Sequence, residues 1–140
     1  MAGKINLLFV CRYNRFRSRI AEVYFNKINK NENVKAKSAG LIKGFSQSQI
    51  EVKIAKELGL DIIGRTQGLS SKLMAWQDII VIVADDVPKV VFDKKNKYIK
   101  KVISFKIKDA KYEKRDEVKK LIRQIMKKID KLNNDLEVKK

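Results

Sequence analysis

The sequence contains no histidine. Its absence removes Ser-His-Asp and Cys-His activation of a nucleophile, together with nearly all zinc enzyme sites. Acid and base chemistry must then rest on carboxylates, Lys, Tyr or a thiol. Only one cysteine is present, Cys11, so no internal disulfide can form. A lone cysteine of this kind is either a small buried hydrophobe or a nucleophile, and its neighbours have to decide. The single proline, Pro88, leaves no Pro-rich linker. No apolar run reaches the roughly 18 residues that cross a bilayer, and the first ten residues lack the cleavage site of a signal peptide. These absences predict a cytoplasmic protein with no membrane partner, no metal and no cofactor.

A chain of 140 residues has the length of one domain, 1–140, able to bury a core without disulfides. Acidic residues are in short supply: 33 Lys and Arg face 16 Asp and Glu, a formal charge of +17. The excess favours anionic partners, with nucleic acid bound only non-specifically. Much of it lies from Lys89 onward, far from Cys11, and reads as a solvated Lys-rich surface.

Lys4 to Val10 is an apolar, β-branched run that ends at Cys11, and Ile20, Ala21, Tyr24, Phe25 and Ile28 then recur at helical spacing. Val34 to Ala39 reads as a second strand closed by Gly40. Ile50, Ile54, Ala55 and Leu58 predict a helix stopped by Gly59, and Ser70 and Ser71 cap a short one running to Trp76. Asp78 to Ala84, nearly all β-branched, suits a strand buried on both faces, and Lys101 to Ile107 supplies a fourth. From Glu113 the apolar residues Val118, Leu121, Ile122, Ile125, Ile129 and Leu132 keep helical register. The alternation predicts a three-layer α/β/α fold with a mostly parallel four-stranded sheet. Ligands in such folds sit at the carboxyl ends of the strands, where Cys11 lies.

Cys11-Arg12-Tyr13-Asn14-Arg15-Phe16-Arg17-Ser18 sets a thiol and a guanidinium six positions apart, across the turn from the first strand to the first helix. A phosphate needs several donors converging on its oxygens, and backbone N–H groups of a loop entering a helix supply them. Arg17 adds a planar fork matching two oxygens, which leaves the thiol beneath the phosphorus for in-line attack. Helix N-termini and nearby cations can lower a thiol pKa from about 8.5 to roughly 3.5–7.5, so such a site works without histidine. Ser18 can donate to the thiolate.

VCRYNRFRSRIAE resembles the signature of the low-molecular-weight protein tyrosine phosphatases, in which Val-Cys is followed by Asn, then Arg-Ser and Ala-Glu. The resemblance continues through Ser38-Ala39-Gly40, through KELGLDIIGRTQGLS, through Trp76-Gln77-Asp78 leading into IIVIVADD, and through KIKDAKYEKRDEVKKLIRQIMKKI. It implies a phosphomonoester hydrolase acting through a phosphocysteine on Cys11, with Arg17 as phosphate clamp, Ser18 as thiolate partner, Asn14 shaping the loop and Asp109 as general acid. The phosphate-binding loop would comprise Arg12, Tyr13, Asn14, Arg15, Phe16, Arg17 and Ser18. The substrate would be a phosphotyrosine protein or another phosphomonoester, and the product inorganic phosphate. Pocket walls in the family are aromatic, which makes Phe45 and Tyr112 the candidates here. Four positions depart from the family pattern: Tyr13 for Gly, Phe16 for a second cysteine found in many members, Arg19 for Pro, and Ala110 for the Pro after the acid. No intraloop disulfide can form without a cysteine at position 16. Arg12, Arg15 and Arg19 add charge that favours an acidic or polyphosphorylated substrate.

Two other readings stand beside this one. Arsenate reductases share the fold and loop, but in their usual form they relay a disulfide through two further cysteines, so this chain would have to borrow an external thiol. A non-catalytic phosphate or nucleic-acid binding module fits the net charge, although exposed aromatics that stack on bases are lacking.

Overall fold

The computed structural model describes residues 3–93, 97–110 and 114–138. Four strands, β1 (Ile5–Cys11), β2 (Val34–Gly40), β3 (Ile79–Val83) and β4 (Lys101–Phe105), alternate with helices α1 (Arg17–Ile28), α2 (Gln49–Glu57), α3 (Ser71–Trp76) and α4 (Arg115–Val138), with a 3-10 turn at Lys89–Val91. The sheet is entirely parallel, in the order β2-β1-β3-β4. Central position explains composition: β1 and β3 are covered on both faces, β1 being apolar except for Asn6 and β3 wholly aliphatic, while the edge strand β4 keeps only partly buried apolar residues.

Alternation along β1 sends Leu7 and Phe9 to one face and Leu8 and Val10 to the other. On the first face they meet Ile20 and Phe25 of α1, Ile54 of α2, and Ile122, Ile125 and Ile129 of α4. These three α4 isoleucines are fully buried, each worth about 1.5–3 kcal/mol relative to exposure. The opposite face is closed by Leu73 of α3, together with Val87 and Phe92. Ser70 caps α3 by accepting from Leu73 N at 3.1 Å, as the sequence predicts. Among the described residues no helix is long and apolar enough to cross a membrane.

The fourth strand stops at Phe105, two residues short of the apolar run, but the chain stays attached to the sheet. Ala84 N donates to Phe105 O at 3.0 Å and Asp85 N to Ile107 O at 2.9 Å. That arrangement brings the residues after β3 and β4 together at the carboxyl end of the sheet, beside the end of β1. Cys11 therefore stands where three chain segments meet.

Candidate active site

Residues 12–16 leave β1 as a loop braced from outside by residues 41–44. Leu41 N, Ile42 N and Gly44 N donate to the carbonyls of Cys11, Arg12 and Tyr13 at 3.0, 3.1 and 3.1 Å. In a trans peptide the N–H points opposite the carbonyl. The N–H groups of Tyr13 and Asn14 are thereby turned inward, and Asn14 N lies 3.3 Å from Cys11 Sγ. This bracing requires the two backbones to touch. A Cβ on Gly40 would meet Tyr13 C and Ile42 O at 2.6 Å, so only glycine fits there.

Asn14 is the only described non-glycine residue with positive φ, at 59°. Its side chain stabilises that conformation: Oδ1 accepts from Gln67 N at 3.0 Å, while Nδ2 donates to Ser18 Oγ at 2.8 Å and Ser38 Oγ at 2.9 Å. A backbone N–H can only donate, so Gln67 fixes which end of the amide is oxygen. Ser18 Oγ accepts from Asn14 and lies 3.0 Å from Cys11 Sγ, leaving its proton to donate to sulfur. Two donors thus converge on a nearly buried sulfur, an arrangement suited to a thiolate. Phe16 precedes α1 with no side-chain cap, and the first turn holds no acidic residue. The first N–H groups of α1 remain available to an anion.

Arg17, the first residue of α1, is 2% exposed. Its Nη1 donates to Ile107 O at 3.0 Å, and its Nη2 meets Asp86 Oδ1 at 2.9 Å. Asp85 Oδ1 is 3.7 Å from Nη1 and Asp109 Oδ1 is 3.9 Å from Nε. Ile107 O and Asp86 set the plane of the guanidinium before any ligand arrives, with Asp85 and Asp109 nearby but beyond hydrogen-bond distance, and the remaining N–H groups can serve oxygens in the cavity.

A cavity of about 70 Å³ opens above Cys11, the scale of one phosphoryl group rather than a large ligand. Its walls are Cys11, Tyr13, Arg15, Phe16 and Arg17 from the loop and α1, Glu51 from α2, and Asp109 and Ala110 after β4. Asp109 is about half exposed, at the mouth, where its Oδ1 accepts from Ala110 N at 3.0 Å. The fold thus brings Asp109 to Cys11 across most of the chain. No cluster of His, Cys, Asp and Glu that could hold a metal ion occurs among the described residues.

The remaining sequence candidates are distributed around this cavity. Arg12 turns outward, over the Tyr13 ring and toward Asp86 Oδ2 at 3.9 Å. Asn14 and Ser18 sit behind the sulfur rather than in the wall. Arg15 Nε donates to Ser46 O at 3.0 Å and ties the loop to the segment before α2. Phe45 is 88% exposed and does not line the cavity, and Tyr112 lies outside the described residues. Sequence reasoning did not single out Glu51 or Asp86. A charged residue on the apolar face of α2 was the available signal for the first, and an acidic pair just past a buried strand was the signal for the second.

The family model described as low molecular weight phosphotyrosine protein phosphatase matches residues 6–140. A low molecular weight protein tyrosine phosphatase from T. tengcongensis superposes with a TM-score of 0.80 at 27% identity, covering 94% of this chain and 99% of that one. An arsenate reductase from Archaeoglobus fulgidus gives 0.75 at 25% identity, covering 91% and 98%. An arginine phosphatase from Geobacillus stearothermophilus gives 0.81 at 20%, covering 96% and 94%, a likeness of fold. Comparison with curated proteins finds no match. With the family's model spanning the sheet, the loop and the last helix alike, the chain belongs to the low molecular weight phosphotyrosine protein phosphatase family.

Proposed function

We propose that this protein hydrolyses phosphotyrosine in proteins, with Cys11 as nucleophile, Arg17 as phosphate clamp and Asp109 as general acid. One observation carries the reading: the Cys11 sulfur, with donors from Ser18 and Asn14, faces the same small cavity as Arg17 and Asp109. The thiolate attacks phosphorus in line as the bond to the tyrosyl oxygen breaks, and Asp109 transfers its proton to that oxygen. Arg17 and the loop N–H groups hold the three equatorial oxygens as they flatten. Water then attacks the phosphocysteine, giving up a proton to Asp109 and releasing inorganic phosphate and the thiolate. Arg15 at the wall and Arg12 beside the loop favour acidic residues near the phosphotyrosine.

Hydrolysis of p-nitrophenyl phosphate and of an acidic phosphotyrosine peptide, both abolished by Cys11→Ser, is the expected result. Arsenate reduction with an added thiol and no phosphate release would replace hydrolysis by the reductase reading. Tight phosphate binding with neither activity would leave a binding module.

Glu51 favours a second substrate. Glu51 lines the cavity together with Asp109, so the wall carries two acidic residues that attract a substrate guanidinium, and a neighbour of the same fold is an arginine phosphatase. Faster release of phosphate from phosphoarginine than from phosphotyrosine, lost in Glu51→Ala, would select it.

A further inference from the structure

The hydrogen bonds behind Cys11 do not end at Ser38. Ser38 Oγ accepts from Asn14 Nδ2, so its own proton needs an acceptor, and at 1% exposure water cannot serve. Glu22 Oε1 lies 2.5 Å away. The same oxygen accepts from Arg19 Nη1 at 3.0 Å. Arg19 is itself anchored: its Nε and Nη2 donate to Ile62 O at 3.4 and 3.2 Å, and Nη2 to Ile63 O at 3.3 Å. An ionised carboxylate only accepts. Every proton in the chain Glu22, Ser38, Asn14, Ser18, Cys11 is therefore assigned, with Glu22 at one end and sulfur at the other.

We propose that Glu22 is a positioning residue for the Cys11 sulfur, acting through Ser38, Asn14 and Ser18 and held in place by Arg19. The proposal rests on the reading of Cys11 as a thiolate nucleophile. With Glu22 in place, Ser38 keeps its lone pairs toward Asn14, Asn14 keeps its amide between two serines, and Ser18 keeps its proton on sulfur. Without it the Ser38 proton is stranded in a buried site. Ser38 then turns its hydroxyl to satisfy it and withdraws its lone pairs from Asn14 Nδ2; the Asn14 amide, still tied to Gln67 N, loses one of its two serine acceptors, and Ser18 becomes free to accept from a thiol instead of donating to a thiolate. Hydrogen bonds to the ionised form favour that form, so losing Glu22 disfavours it.

The sign separates this role from a plain charge effect. Through space, an anion near sulfur opposes the thiolate, so deleting Glu22 would promote it. Other charges facing the sulfur are Arg15 and Arg17 from the loop and α1, Glu51 from α2 and Asp109 after β4, with Asp85 and Asp86 behind Arg17. None of these is altered by substitution at position 22.

The test is the rate of Cys11 alkylation by iodoacetamide from pH 5 to 9, with phosphate protection as the control for the site. Glu22→Ala should move the acid limb of the profile up by about one pH unit, roughly tenfold slower at pH 6. Glu22→Gln, whose amide oxygen still accepts, should stay near wild type. Ser38→Ala should match Glu22→Ala, and the double variant should be no slower than either single one, because both break one chain. Faster alkylation in Glu22→Gln, or additive losses in the double variant, would overturn the proposal. So would a wild-type rate in Glu22→Ala while phosphate still protects. If wild-type Cys11 reacts as an ordinary thiol that phosphate does not protect, the nucleophile reading fails and this proposal fails with it.

Discussion

Asp86 joins the two arginines that flank the loop: its Oδ1 lies 2.9 Å from Arg17 Nη2, and its Oδ2 lies 3.9 Å from Arg12 Nη1. Asp86 is partly exposed and Arg17 is buried, so the carboxylate orients the guanidinium more than it stabilises the fold. Hydrogen bonds to charged groups are worth about 1.5–3 kcal/mol, so Asp86→Ala should lower kcat/KM by about 10- to 100-fold and weaken inhibition by vanadate. Unchanged kinetics would mean that Ile107 O alone sets the plane of Arg17.

Arg17→Lys keeps the charge and loses the fork. A point charge cannot meet Ile107 O, Asp86 and two phosphate oxygens together, so steady-state kinetics should show kcat/KM down by about 10³ or more, roughly 4 kcal/mol. Near-normal activity would contradict the two-oxygen clamp.

Asp109 should reveal itself through the leaving group. Asp109→Asn should slow the first step by roughly 10² to 10⁴ for phosphotyrosine, whose phenol has a pKa of about 10, and much less for an ester of a strongly acidic phenol. Burst kinetics isolate that step from hydrolysis of the phosphocysteine. Equal losses for both esters would remove Asp109 as the acid.

Away from the site, Tyr24 links α1 to α4 by donating to Asp130 Oδ1 at 2.6 Å. Burial, then the hydrogen bond to Asp130 and its negative charge, push the phenol up to about 12. The folded state thus holds this proton more tightly than the unfolded chain does. Its contribution to stability is fully present below about pH 10 and declines as pH rises through about 12. Thermal unfolding between pH 9 and 12 should show a steeper fall for wild type than for Tyr24→Phe. Parallel curves would contradict the shift.

The sheet was legible because β1 and β3 are buried on both faces and carry continuous apolar runs, Leu7 to Cys11 and Ile79 to Val83, and α4 because its isoleucines recur on one face. Cys11, Arg17 and Ser18 were legible because one short segment carries them all. The partners that position them were not: Asp86 and Gln67 reach Arg17 and Asn14 only when distant segments come together, as Glu51 reaches the cavity only when α2 packs. Glu22 and Ser38, though in recognisable motifs, gain their connection only from the packing of α1 beside β2. Phe45 shows the converse limit: it follows the 41–44 segment whose backbone braces the loop after Cys11, yet it is itself exposed to solvent.

The central claim is that phosphate passes through Cys11. Rapid-quench intact-mass measurement during turnover of p-nitrophenyl phosphate, with peptide mapping, tests it most directly. The predicted result is one phosphoryl group on Cys11, formed within the burst, with no adduct and no turnover in Cys11→Ser. Turnover with the phosphoryl group on another residue, or undiminished hydrolysis in Cys11→Ser, would contradict it.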